Sequence, residues 1–171
     1  MEENCGRRPQ ERRGRGMKIL VSACLLGVCC RYNGEGEINP AVAKLLKEHQ
    51  LIPVCPEILG GLATPRTPAE LRGQQVITRD GRDVTAAYER GARETLKLAE
   101  LFGCRRAILK ERSPSCGSGV IYDGTFQKRR IPGDGKTAQL LKQHGIQVAG
   151  ESDFMKQEGF LQNPLHGTMD I

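Results

Sequence analysis

Residues 18–24, which read KILVSAC, give the pattern from which the fold is predicted. Residues 18–21 form a short, largely apolar run, which is typical of a strand buried on both faces of a sheet. Cys24 follows this run closely. Two later apolar runs are also followed by a cysteine. Residues 51–54 (LIPV) end at Cys55, and residues 107–109 (AIL) lead into the loop that contains Cys116.

Helices are predicted between and after these strands. Three segments combine helical patterning with a cap or a stop signal: residues 40–50, 85–102 and 137–144. Asn39 is a good cap for the first helix, and Gly103 stands where the second should end. A fourth strand is predicted at residues 146–149. Short apolar strands alternating with helices indicate a single α/β domain, with a mostly parallel sheet between helical layers in a Rossmann-like, three-layer arrangement.

Shorter elements are predicted in the intervening loops. Two hairpins are expected around Asp-Gly pairs, one at Asp80-Gly81 (residues 75–77 with 83–84) and one at Asp123-Gly124 (residues 120–122 with 125–126). Residues 68–71 are predicted to form one helical turn. Arg66 and Glu70 are expected to form an ion pair that orders their loop, with a contact between Arg66 and a substrate as the alternative.

The two ends of the chain differ in composition from its centre. The formal net charge is +6, and residues 1–16 contain five arginines against three glutamates. This segment is predicted to be a disordered basic tail, with a weak contact to RNA or DNA as a minor alternative. Residues 17–150 are predicted to form the folded domain, and residues 151–171 a loosely packed tail. No apolar run approaches the roughly 18 residues of a membrane span, and residues 1–16 do not resemble a secretory signal, so a cytoplasmic location without a membrane partner is expected.

Cys24, Cys55 and Cys116 each follow a predicted strand of the same sheet. Ligands of open parallel sheets bind beyond the carboxyl ends of the strands, so the three thiols are expected to converge there. Three thiolates from separate loops can hold a 4Fe-4S cluster and leave its fourth iron open for catalysis. Structural zinc sites usually contain Cys-x-x-Cys pairs, and this sequence contains none.

Other interpretations of the cysteines stay open at the level of sequence. Cys30 is a candidate fourth ligand or a nearby helper, and a cluster with four protein ligands would suit a non-catalytic sensor or carrier. A metal-free cytoplasmic thiol enzyme with one nucleophilic cysteine is a further alternative. Single buried cysteines are also commonly inert.

Five motifs occur in an order that resembles the 2-thiouracil desulfidase family, formerly a domain of unknown function. They are SACLLG at residues 22–27, CRYNG at 30–34, CPE with GGL within 55–62, PRTPAE at 65–70 and SPSCG at 113–117. IYDGTF at residues 121–126 and GDG at 133–135 also fit. The resemblance covers residues 17–150, with one small departure at Asn33, where aspartate is expected in many members.

The resemblance implies both a reaction and the residues that carry it. It implies a 4Fe-4S cluster held by Cys24, Cys55 and Cys116. The implied reaction is a non-redox desulfuration, in which a thiolated pyrimidine such as 2-thiouracil reacts with water to give uracil and hydrogen sulfide. It also implies an acidic residue and a serine beside the cluster, and Glu57 and Ser113 match. Glu57 is expected to exchange protons with water or the ring, and Ser113 to hydrogen-bond the ring or the developing anion.

Overall fold

The structure, a computed structural model, describes residues 16–162. In chain order, its strands are β1 (Lys18–Ser22), β2 (Gln50–Val54), β3 (Ala69–Arg72), β4 (Gln75–Thr78), β5 (Arg106–Leu109), β6 (Val120–Tyr122), β7 (Arg130–Pro132) and β8 (Gln147–Gly150). Its helices are α1 (Pro40–Lys44), α2 (Pro56–Leu59), α3 (Thr85–Phe102) and α4 (Lys136–Gln143). No helix within residues 16–162 is long and apolar enough to cross a membrane.

A four-stranded sheet in the order β2-β1-β5-β8 forms the centre of the fold, and every neighbouring pair is parallel. Successive residues of β1 face opposite sides of this sheet. Ile19 and Val21 pack with Val42 of α1, whereas Leu20 packs in a second buried cluster with residues of α3 and α4. The predicted α/β fold, with helices on both faces of a parallel sheet and additional short hairpins, is confirmed.

Two of the predicted helix ends are confirmed, at Asn39 and Gly103, whereas the cap predicted at Thr85 is wrong, because Thr85 is the first residue of α3 and Val84 precedes it as the cap. Asn39 caps α1 by accepting hydrogen bonds from two amides of the first turn. The helix is shorter than predicted, because it ends at Lys44 and β2 begins at Gln50. Gly103 terminates α3 in the left-handed conformation, with φ 69°, as its position in the sequence predicted.

The small hairpins depart from the sequence predictions. The helical turn predicted for residues 68–71 is wrong, because these residues enter β3, which pairs antiparallel with β4. Gly73, with φ 60°, allows the chain to turn there within two residues. The hairpin predicted around Asp80-Gly81 is reduced to a single bridge between Ile77 and Asp83. β6 pairs with β7 instead of with residues 125–126, which belong to the connecting loop.

Residues 151–162 pack more closely than the sequence pattern suggested. Phe154 and Phe160 are buried in the same cluster as Ile19 and Val21, so this segment covers one face of the central sheet. The predicted basic tail, apart from Gly16, and residues 163–171 lie outside the described residues. The division of the chain at residues 16 and 150 stays a prediction.

Candidate active site

A pocket of about 440 Å³ lies beyond the carboxyl ends of β1, β2 and β5. Cys24, Cys55 and Cys116 all line it, together with Glu57 and Ser113. The structure therefore brings all five sequence-predicted site residues into one cavity. Parallel strand order accounts for this convergence, because loops that leave the same edge of the sheet are neighbours in space.

Local structure fixes each of the three thiols. Cys24 lies in a short 3-10 turn directly after β1, and Cys55 stands at the N-terminus of α2. Cys116 lies in a turn where the Ser113 hydroxyl oxygen accepts hydrogen bonds from the amides of Ser115 (3.0 Å) and Cys116 (3.1 Å). The Ser22 hydroxyl donates to Cys116 Sγ at 3.4 Å, which connects the end of β1 to this turn.

Cys30 contributes a fourth thiol to the same pocket. It is buried, and the Cys24 thiol beside it is the main reason that the pKa of Cys30 is raised to about 11. Burial raises the pKa of Cys116 to about 12, and a hydrogen bond with Cys30 together with burial raises the pKa of Cys55. These thiols are therefore protonated at neutral pH until a metal displaces their protons.

The side chains that line the pocket include several possible metal ligands. Among residues 16–162, no three His, Cys, Asp or Glu side chains converge closely enough to hold a single metal ion. Thiolates from separate cysteines suit an iron–sulfur cluster, in which each cysteine binds a different iron. Six cationic and three acidic side chains line the pocket, and this positive excess offsets the charge of several thiolates. The residues present fit a cluster better than a single ion.

Glu57 is held in one orientation by its neighbours. Arg66 Nε lies 2.5 Å from Glu57 Oε2, and both side chains are almost buried. The Ser113 hydroxyl donates to the other carboxylate oxygen, Oε1, at 3.4 Å. Arg66 is itself fixed by donating to the carbonyl of Cys30 (3.0 Å). The predicted Arg66–Glu70 ion pair is wrong, because Arg66 pairs with Glu57 instead.

Tyr88 also lines the pocket, although it is not among the site residues predicted from the sequence. It lies in the first turns of α3, is buried, and lines the pocket beside Glu57. Burial, followed by the nearby Glu57 carboxylate, raises the pKa of its hydroxyl, so the phenol stays protonated and can donate a hydrogen bond. No local sequence signal identifies it, because a tyrosine in an amphipathic helix usually belongs to the core.

Two glycines bring Tyr88 and Glu57 together. A Cβ atom on Gly91 of α3 would lie 1.9 Å from the carbonyl oxygen of Pro56, and one on Gly60 would lie 2.1 Å from that of Ala87. Helices α2 and α3 can approach this closely only because both positions lack a side chain. This close contact fixes the position of α2 relative to α3, and therefore the position of Glu57 relative to Tyr88.

Comparison with known proteins gave three matches. The family model for 2-thiouracil desulfurase matches residues 19–153. The chain is 46% identical over 145 residues to the Bacillus subtilis (strain 168) protein named uncharacterized protein YbbK, an alignment that covers 79% of this chain and 96% of that protein. It is also similar to the solved structure of the [4Fe-4S]-dependent thiouracil desulfidase TudS, with 48% identity, a TM-score of 0.77, and coverage of 82% of this chain and 94% of that one.

Proposed function

The chain belongs to the 2-thiouracil desulfurase family, and we propose that it is a [4Fe-4S]-dependent desulfidase that releases sulfide from a thiolated pyrimidine such as 2-thiouracil. The observation that carries this proposal is the meeting of the thiols of Cys24, Cys55 and Cys116 with the fixed carboxylate of Glu57 in one pocket. The overall reaction consumes water and gives uracil and hydrogen sulfide, without a net electron transfer.

Cys24, Cys55 and Cys116 would hold the cluster, with Cys30 as a neighbouring thiol that is not a ligand. When bound through three cysteines, a 4Fe-4S cluster supplies one iron as a soft Lewis acid, which suits a thiocarbonyl sulfur. The loops around these cysteines are already ordered by their own hydrogen bonds, among them that of the Ser22 hydroxyl to Cys116 Sγ. Assembly requires loss of the thiol protons of Cys55 and Cys116, whose pKa values are raised.

Glu57 is proposed as the general base. Its Oε2 is occupied by Arg66, so the proton from an attacking water would go to Oε1. Arg66 holds the carboxylate in one orientation, which a positioned base needs. The same carboxyl group, once protonated, can return the proton to a ring nitrogen or to the leaving sulfide.

Ser113 is proposed to assist Glu57. Its oxygen already accepts two backbone amides, so the hydroxyl hydrogen is left to donate to Glu57 Oε1 or to the substrate. The protonated phenol of Tyr88 is a second neutral donor on this side of the pocket. Together they would stabilise negative charge that develops on the ring during attack.

The compartment and partners follow from the same chemistry. Thiolate-bound clusters suit a reducing cytoplasm, which is the location we propose. The proposed partner is a small thiolated pyrimidine, with no membrane and with no nucleic acid beyond the weak contact predicted for the basic tail.

The test is sulfide release from 2-thiouracil by protein purified without oxygen, compared with the same protein after iron has been chelated. The proposal predicts turnover only in the iron-loaded sample. Equal turnover in the chelated sample would favour a metal-free thiol enzyme. Full iron content without turnover of any thiocarbonyl would favour a non-catalytic cluster protein.

A further inference from the structure

The aromatic residues of this chain are concentrated at the pocket. The sequence contains three tyrosines, four phenylalanines and no tryptophan. All three tyrosines line the pocket, and so does one phenylalanine: Tyr32, Tyr88, Tyr122 and Phe126. Aromatic side chains that face a cavity pack well against flat, polarisable rings. Their distribution indicates that this pocket receives a planar ligand.

Phe126 differs from the tyrosines in how its backbone is held. Its φ is 60°, a left-handed conformation that a residue with a large side chain seldom adopts. The amide of Phe126 donates to Glu70 Oε2 at 3.0 Å, and the amide of Gly124 donates to the same oxygen at 3.0 Å. Strained residues persist only where their surroundings fix them, and they occur often at ligand clamps.

Further contacts fix the loop that carries Phe126. A Cβ atom on Gly124 would lie 2.7 Å from the carbonyl oxygen of Leu71 in β3, so the loop lies directly against that strand. Gly124 has φ 86°, which favours glycine at this position. The guanidinium of Arg79 lies over the Phe126 ring, 5.6 Å from its centroid, and restrains the ring by a cation–π contact.

Burial does not account for this arrangement. Phe126 belongs to none of the three buried apolar clusters formed by the described residues, and its side chain is partly exposed. The Phe126 ring is therefore held in place although it is not part of the hydrophobic core. Its strained backbone, the two amide hydrogen bonds to Glu70 and the cation–π contact with Arg79 all restrain it.

We propose that Phe126 is the specificity residue that packs against the flat ring of the substrate, and that Glu70 is the positioning residue that holds its loop. This inference rests on the proposed function, because the ring it assigns is the thiolated pyrimidine of that reaction. A contact with the face of the ring that does not react stabilises the bound substrate and the transition state equally. Loss of this contact therefore raises Km and leaves kcat nearly unchanged.

The experiment measures Km and kcat for sulfide release from 2-thiouracil, with iron content recorded for each anaerobically purified protein. Loss of ring stacking in Phe126→Ala is expected to raise Km by about tenfold to a hundredfold, and Phe126→Tyr is expected to restore it. Glu70→Gln should also raise Km, because it weakens the hydrogen bonds that hold the loop of Phe126. Phe102→Ala is the matched control, because Phe102 lies at the end of α3 and does not line the pocket.

The outcomes separate this inference from the proposed function. If the wild-type protein holds iron and releases no sulfide, the proposed function fails and this inference fails with it. If the wild type turns over 2-thiouracil and Phe126→Ala keeps the wild-type Km, only the inference is overturned. Should Phe126→Ala lose its iron, Phe126→Leu keeps the apolar volume without the aromatic face, and a wild-type Km there would overturn the inference equally.

Discussion

Replacing Arg66 by methionine is expected to destabilise the protein, because it leaves Glu57 buried without its charge partner. The Arg66 and Glu57 side chains are 9% and 13% exposed. Removing one partner of a buried ion pair costs about 3–5 kcal/mol, since the remaining charge stays out of water. For a chain of about this size, 1 kcal/mol corresponds to about 2–4 °C, so the unfolding midpoint should fall by roughly 6–20 °C.

The assay is thermal unfolding followed by far-ultraviolet circular dichroism, on anaerobic samples with matched iron content. Arg82→Met is the matched control, because Arg82 and Asp80 form a surface pair with side chains 65% and 52% exposed. Its midpoint should equal that of the wild type. Adding Glu57→Gln to Arg66→Met removes the orphaned charge and should recover part of the loss. An unchanged midpoint in Arg66→Met, or no recovery in the double variant, would refute the reasoning.

Three further predictions concern catalysis, packing and thiol reactivity. Glu57→Gln should keep its iron and lower kcat by about 10²–10⁴-fold. The surface variant Glu94→Gln is the control and should match the wild type. Equal rates in both variants would show that Glu57 is not the general base. Gly91→Ala should force α2 away from α3 and lower the unfolding midpoint, at a cost of about 1–3 kcal/mol, and an unaltered melting curve would contradict the close contact. In metal-free protein at pH 8, mass spectrometry should find Cys116 alkylated far more slowly than the exposed Cys29, because burial raises the pKa of Cys116 to about 12. Comparable rates at these two cysteines would show that Cys116 is accessible.

The central sheet and the meeting of the cysteines were predictable from local sequence. Short apolar runs bounded by polar residues, such as residues 18–21, favour a buried strand, and the parallel order of the strands brings the residues that follow them together. The caps at Asn39 and Gly103 were predictable for the same reason, since a cap depends on one residue and its immediate neighbours.

The errors occurred where distant parts of the chain compete with local preference. Residues 68–71 resemble the start of a helix, but pairing with β4 satisfies their backbone in a strand. Arg66 and Glu70 are close in sequence, but folding brings Glu57 to Arg66 and the amide of Phe126 to Glu70. Such partners depend on loop paths that composition and spacing do not encode.

Iron and acid-labile sulfide content, measured with the visible spectrum on protein purified without oxygen, tests the central claim most directly. The wild type should hold about 4 irons per chain. Cys24→Ala, Cys55→Ala and Cys116→Ala should each lose them, whereas Cys30→Ala should keep them. No iron after reconstitution, or a cluster that survives in Cys116→Ala and is lost in Cys30→Ala, would contradict the account.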